Sequence, residues 1–252
     1  MKKVYFVSDF HLGAPDTQKS HEREKKIIQW LDFIKPTAEK IFLLGDIFDF
    51  WYEWNNVIPK GFVRFLGKLA ELKDYGIEIY FFTVNHDLWA YSYLETEIGI
   101  KIIQNPMEIV IQQTKIFLGH GDGLGPKDYK YKILKKIFTN KIAQFFFSKL
   151  LHPDFAIWLG KKWSLSRDAY NRDPKFLGEQ EWLIQYCREK LKTTTPNYFI
   201  FGHRHCQAFF PLTPKTTYIN TGVWFKNCPY AELDNGKISL KNFIDYENSC
   251  HN

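Results

Sequence analysis

Five short clusters of Asp, Asn and His punctuate the 252-residue chain. Asp9 and His11 stand one residue apart, Gly45-Asp46 follows, and Asn85-His86-Asp87, Gly119-His120-Gly121-Asp122 and Gly202-His203-Arg204-His205 come later. Five of the chain's eight His fall inside these clusters. A donor set of carboxylate, amide oxygen and imidazole suits Mn, Fe or Zn better than Mg or Ca, whose shells favour oxygen throughout. In extended backbone alternate residues point the same way, so Asp9 with His11, and His203 with His205, are expected to converge on one cation. Taken singly, Asp9 or Asp46 reads as a turn cap, His120 or His203 as a core histidine, and Asn85 as a turn residue. Together they predict a dinuclear metal site.

The elements that must position these residues are visible as apolar runs. Val4–Val7, Ile41–Leu44, Ile77–Phe82, Ile116–Leu118, Tyr198–Phe201 and Tyr218–Ile219 read as buried strands ending in polar or glycine-containing loops. Helical periodicity covers His21–Ile34, stopping at Lys35-Pro36, then Phe62–Tyr75, ending at Gly76, and Gly178–Leu191. Strand–helix alternation early and closely spaced strands late predict an α/β sandwich with a partly mixed sheet. No linker rich in Pro, Gly or Ser interrupts the chain. The simplest parse is one domain over 1–252 with an inserted helical element at about 128–172.

Composition narrows the class. Hydrophobic residues at 45% and charged residues at 25% exclude a disordered or fibrous chain. No apolar run approaches the ~18 residues of a spanning helix, and mean hydropathy is -0.34, which argues against an integral membrane protein. The first apolar run is too short for a signal peptide. Cys187, Cys206, Cys228 and Cys250 have no paired spacing, so a reducing, cytoplasmic setting is expected. Net charge is +6, yet Lys127–Trp163 alone sets nine Lys against Asp128 and Asp154, a balance of +7. That stretch also carries Phe138, Phe145, Phe146, Phe147, Phe155, Trp158 and Trp163. Basic amphipathic helices of this kind suit an anionic lipid surface. Ordinary core beneath solvated Lys is the plain alternative. A nucleic-acid backbone is disfavoured by the density of Leu, Ile and Phe.

The ordered set D-x-H, G-D, N-H-D, G-H-G-D and G-H-x-H, spanning Asp9 to His205, resembles the calcineurin-like metallophosphoesterases. The resemblance implies a two-sheet α/β sandwich flanked by helices, with the site at the strand ends. It implies one metal on Asp9, His11, Asp46 and His205, and a second on Asp46, Asn85, His120 and His203, with Asp46 bridging. Two such cations, ~3.5–4 Å apart, would acidify a bridging water for in-line attack on phosphorus. His86 matches the family's non-ligand histidine and is expected to stabilise or protonate the departing oxygen. Asp87 is expected to hold its ring. The family usually has glycine where this chain has Val84, so the backbone there either stays in the β region or shifts the loop bearing Asn85.

Within that superfamily, Asp46-Ile47-Phe48-Asp49-Phe50-Trp51, His120-Gly121-Asp122-Gly123-Leu124, Asp128, Tyr131 and the helical insertion resemble the bacterial UDP-2,3-diacylglucosamine hydrolases. Those enzymes release UMP and 2,3-diacylglucosamine 1-phosphate during lipid A synthesis. They usually carry Arg where this chain has His86. The likeness implies that the insertion is a cap that receives acyl chains and rests on the inner membrane. Substrate contacts are then expected from Asn85, His86, Asp128, Tyr131, Ser166, Arg167, Arg172 and His203. The implied cofactors are two divalent ions, Mn²⁺ foremost with Fe or Zn as substitutes. The implied partners are a nucleotide-linked glycolipid and the inner-membrane surface, with no nucleic acid and no protein partner. Another phosphodiesterase or nuclease, or a non-catalytic membrane-associated scaffold of the same fold, are the rival readings.

Overall fold

The computed structural model describes residues 2–84, 86–125, 135–165 and 174–244. Four parallel strands, β1 (Lys3–Val7), β2 (Ala38–Leu43), β3 (Glu78–Phe82) and β4 (Lys101–Ile103), form the centre and one edge of the first sheet. β10 (Pro229–Asp234) and β11 (Lys237–Asn242) extend it antiparallel beyond β1, in the order β11-β10-β1-β2-β3-β4. The second sheet comprises β5 (Met107–Ile111), β6 (Thr114–Leu118), β7 (Tyr198–Phe201), β8 (Ala208–Thr213) and β9 (Thr216–Asn220). Its order is β5-β6-β7-β9-β8, parallel at its centre and antiparallel at both edges. Both sheets are therefore mixed.

Alternation along the strands explains why the sheets stack. Val4, Phe6, Phe42 and Phe82 face Ile116, Leu118, Ile200 and Ile219 in a dry layer between the sheets. Their neighbours Tyr5, Val7, Ile41 and Leu43 point the other way, onto Ile27, Trp30 and Leu31 of α1 (Thr17–Ile34) and Phe65, Leu69 and Leu72 of α2 (Val63–Asp74). Phe117, Phe199 and Phe201 cover the outer face of the second sheet with Leu183, Ile184 and Cys187 of α6 (Trp182–Lys190). Strands buried on both faces read as unbroken apolar runs, and each large side chain so buried contributes about 1.5–3 kcal/mol. The layers run helix, sheet, sheet, helix.

Three differences from the sequence reading have physical causes. α1 starts four residues earlier than His21 because Asp16 caps it, accepting from Lys19 N at 2.8 Å. The helix expected at 178–191 splits into a 3₁₀ turn at Gly178–Gln180 and α6. Glu181 between them is extended, which aims its buried carboxylate at Arg204. β4, β5, β8, β10 and β11 carry too many exposed or polar residues to stand out as apolar runs.

α3 (Tyr93–Ile98) follows the loop after β3, and the insertion contains α4 (Lys141–Leu150) and α5 (Pro153–Leu165). Its expected limits, 128 and 172, lie outside the described residues. The insertion is pinned to the loops after β2 and β3 by aromatic contacts: Phe147 lies 4.9 Å from Tyr52 and Phe138 5.1 Å from Trp89, centroid to centroid. Trp89 Nε1 donates to Phe138 O at 3.0 Å, and Tyr52 Oη to Gln144 O at 3.2 Å. Gly160 of α5 lies so close to the Phe50 ring that a Cβ would collide with it. Among the described residues no helix is long and apolar enough to cross a membrane.

Candidate metal centre

β1, β2, β3, β6 and β7 all point their carboxyl ends to one edge of the sandwich, and every Asp and His cluster lies in the loop just beyond such an end. That edge is where loops of an open parallel sheet converge. Asp9, His11, Asp46, His203 and His205 all have positive φ, between 44° and 67°. Left-handed backbone costs a non-glycine residue about 1–3 kcal/mol, so five together mark a site that the surrounding fold holds in place. These side chains converge through tight turns, and not through alternation along extended strand as the sequence had suggested.

Specific bonds hold the turns. Asp9 N donates to Gly45 O at 3.0 Å and His11 N to Asp46 O at 2.9 Å, so the first two loops brace each other. Arg23, buried on α1, donates to the carbonyl oxygens of Phe10, His11 and Ala14 at 2.5–2.6 Å. His203 N donates to Asp9 Oδ2 at 3.1 Å. Gly202 has to be glycine because a Cβ would strike Ser8 Oγ and Asp9 Oδ2. Arg204 grips the buried Glu181 carboxylate with two nitrogens, fixing the backbone between His203 and His205.

Three donor groups result among the described residues: two share Asp46, and the third joins His11 to Asp49 and His86. In the first, His205 Nε2 lies 3.1 Å from both Asp9 Oδ1 and His11 Nε2, while His11 Nε2 is 3.8 Å from Asp46 Oδ2. In the second, His120 Nε2 is 3.2 Å from Asp46 Oδ2 and 3.2 Å from His203 Nδ1. Imidazole nitrogens facing each other and a shared carboxylate, buried except for the partly exposed His203 and His205, form a chelating set for a divalent transition ion. Asp9 Oδ1 is fully buried and accepts no hydrogen bond, which also fits a cation as its partner. The residues present thus fit two divalent metals.

Electrostatics agree. Burial works to raise the Asp9 carboxyl, but His11 and His205 hold it well below the usual range. Burial depresses the rings of His11 and His120, yet Asp49 and Asp9 lift His11 to about 10 and Asp46 lifts His120 to about 9. Burial and then the neighbouring His120 push His203 down to about 4. The centre is a dense array of acids and bases that shift one another's protonation.

Asp87 does not hold the His86 ring. Its two oxygens accept from Ile47 N and Val84 N, each at 3.0 Å, tying the loop after β2 to the loop after β3. Burial, then the charge of Asp46, raises this carboxyl to about 8. His86 is instead set by Asp49, whose backbone oxygen lies 2.7 Å from His86 Nδ1. Val84 is not among the described residues with positive φ. Its side chain joins the layer between the sheets and covers Gly45, which at φ 101° has no room for a Cβ beneath it. The loop up to Val84 accommodates the departure from the family pattern by local packing. Asn85, Asp128, Tyr131, Ser166, Arg167 and Arg172 lie outside the described residues.

Several residues of the site had no assigned part in the sequence reading. Arg23 sits inside an amphipathic helix, where charge ordinarily means solvent. Asp49 was visible three residues after Asp46, and Ser164 of α5 donates to its Oδ1 at 2.6 Å. Asp122 Oδ2 meets Lys135 Nζ at 2.8 Å on the wall of a cavity of about 400 Å³ that reaches His120. A second cavity of about 250 Å³, lined by Gln207, Phe225 and Asn227, reaches His205 on the other flank.

The likeness to known proteins runs along nearly the whole chain. A protein of Porphyromonas gingivalis named UDP-2,3-diacylglucosamine hydrolase is 32% identical over 97% of this chain and 99% of its own length. A Haemophilus influenzae protein of the same name is 28% identical over 92% of this chain and 94% of its own. Among solved structures, an archaeal phosphodiesterase aligns with 95% of this chain and 99% of its own at 14% identity and a TM-score of 0.48. The family model described as calcineurin-like phosphoesterase matches residues 2–207, a span that contains every donor named above, and the chain belongs to that family.

Proposed function

We propose that this phosphoesterase hydrolyses the diphosphate of UDP-2,3-diacylglucosamine, releasing UMP and 2,3-diacylglucosamine 1-phosphate for lipid A synthesis. The end-to-end likeness to the Porphyromonas gingivalis hydrolase carries this reading. The insertion adds support. Ile142, Phe145, Phe146 and Leu150 of α4, with Phe155 and Trp158 of α5, are each at least half exposed, beside Lys141, Lys149, Lys161 and Lys162. A patch of this kind suits a lipid surface and lipid chains better than bulk water. The same proposal includes a single domain capped by about 128–172, two Mn²⁺ ions, and peripheral attachment to the cytoplasmic face of the inner membrane.

In this reading Asp9, His11, Asp46 and His205 hold one ion, and Asp46, Asn85, His120 and His203 the other. When bound, the ions supply positive charge for the phosphoryl oxygens and acidify an attacking water. His120 Nδ1 donates to Leu44 O at 2.9 Å, which keeps Nε2 turned to Asp46. His86 donates from Nδ1 to Asp49 O, leaving Nε2 as the nitrogen that stabilises or protonates the departing oxygen. Asn85, His86, Asp128, Tyr131, Ser166, Arg167, Arg172 and His203 are the proposed substrate contacts. Incubation of purified protein with Mn²⁺ and UDP-2,3-diacylglucosamine should release UMP. Cleavage of simple phosphodiesters with the glycolipid left intact would assign the centre to another phosphoester.

A further inference from the structure

His11 is held from two sides. Its Nε2 faces Asp9, Asp46 and His205 in the first donor set, while its Nδ1 lies 3.7 Å from Asp49 Oδ1. That same oxygen accepts the hydroxyl of Ser164, from the penultimate residue of α5, at 2.6 Å. Asp49 is buried, so its carboxylate has little solvent to turn towards and is placed by the groups around it. Among the described residues, Ser164 is the contact that comes from the insertion, and the others come from loops of the sandwich.

We propose that Ser164 is a positioning residue, a latch through which the insertion fixes Asp49 and thereby the orientation of the metal ligand His11. A carboxylate behind a ligating imidazole sets its tautomer and ring plane and raises its basicity. Here that carboxylate is aimed by the element proposed to meet the lipid. When α5 is seated, Asp49 is drawn towards His11 Nδ1 and the first donor set is complete. When α5 lifts, the oxygen loses one partner and His11 gains rotational freedom. The metal centre is thus coupled to the seating of the insertion through a chain of three side chains. The inference rests on the dinuclear centre and not on the identity of the glycolipid.

The test uses the full chain and Mn²⁺ alone, by calorimetric titration, so that a wrong assignment of the substrate leaves it unaffected. Asp49→Asn keeps the shape but removes the charge, and Mn²⁺ affinity at the tighter site should fall about 10–100-fold. Asp49→Glu should recover part of that loss. Ser164→Ala should weaken binding about fivefold, a fraction of what a hydrogen bond to a carboxylate contributes, since it reaches the metal only through Asp49 and His11. In the Asp49→Ala background, Ser164→Ala should cause no further loss, because its effect passes through Asp49. Far-UV circular dichroism checks that each variant is folded. Additive losses in the double variant would overturn the latch. So would Mn²⁺ affinity unchanged in a folded Asp49→Asn or Ser164→Ala protein.

Discussion

His120 is fastened from behind by Leu44: its Nδ1 lies 2.9 Å from the carbonyl oxygen that immediately precedes Gly45-Asp46. The strand that delivers the shared carboxylate therefore also orients a ring that faces it. With Nδ1–H so committed, any further proton on His120 sits on Nε2, between Asp46 and His203. A cation bound at Nε2 would take that proton's place. Burial opposes that proton but Asp46 retains it, and the ring titrates at about 9. His11, beside Asp49 and Asp9, titrates at about 10.

Metal binding should consequently release protons. With their pKa values raised, both rings should carry a proton in the metal-free protein at neutral pH, and proton competition should grow as pH falls. Apparent Mn²⁺ affinity should rise with pH between 6 and 8 by about tenfold per unit for each proton displaced. Calorimetry in buffers of differing ionisation enthalpy should count about two protons released per loaded chain. Binding without proton release would show that the two rings are already neutral.

Arg204→Ala should be among the more damaging changes near the site. It would strip the guanidinium from a fully buried Glu181 and cost about 3–5 kcal/mol. It would also release the backbone between His203 and His205, both at positive φ. Lysine should rescue little, since it lacks the two-pronged donor geometry. Thermal unfolding and Mn²⁺ titration would report both effects; a melting temperature within a degree of the parent would refute the brace.

The metal-binding loops were legible in the sequence because polar residues break apolar runs at recognisable points. Asp9, Asp46 and His120 each follow a strand whose last three residues are apolar and buried, its polar residues (Lys3; Glu39 and Lys40; Thr114 and Lys115) standing at the opposite end. The left-handed turns were not legible, since a spacing of two is the same in extended chain and in a tight turn. Arg23 and Glu181 were hidden for a different reason. Their partners are distant in sequence: Arg23 donates to backbone oxygens of Phe10, His11 and Ala14, and Glu181 accepts from Arg204. Asp87 was misread because adjacency to His86 suggested a pair, whereas its oxygens satisfy two backbone amides.

Val84→Gly should destabilise the protein without improving the centre. The valine is buried in the layer between the sheets and covers Gly45. Losing its side chain there should cost about 2–3 kcal/mol, including the greater freedom of glycine in the unfolded chain. Urea denaturation would show the loss, and Mn²⁺ affinity should not rise. A tighter second site in this variant would mean that valine strains the loop after all.

His86→Ala should reduce turnover of bis(p-nitrophenyl) phosphate by about 10²–10⁴-fold, the usual contribution of an acid–base group. Metal content should be nearly unchanged, because His86 Nδ1 is committed to Asp49 O. Loss of a metal ion from the variant would instead place His86 in the donor group it forms with His11 and Asp49.

The insertion offers a test that separates lipid access from chemistry. Lys135 is unsuitable for it, because it pairs with Asp122 beside His120 and its loss would disturb the centre. Lys141, Lys149 and Lys161 are exposed on α4 and α5 and can be reversed to Glu. Vesicles containing anionic lipid should retain the parent protein and release it as salt rises, since near-surface Lys each contribute about 1 kcal/mol and screening acts over ~8 Å. The triple variant should bind such vesicles poorly. Phe145→Ser with Trp158→Ser removes two half-exposed rings and should weaken binding even at high salt, where the Coulombic part is already screened. Both variants should lose far more activity on UDP-2,3-diacylglucosamine in vesicles than on bis(p-nitrophenyl) phosphate, because the substituted side chains are exposed and none is a proposed metal ligand or part of the Ser164–Asp49–His11 chain. Equal losses on the two substrates would show that the substitutions reached the metal centre. Unchanged vesicle binding in both variants would return this surface to an ordinary solvated face and leave the route of the lipid to be sought elsewhere on the molecule.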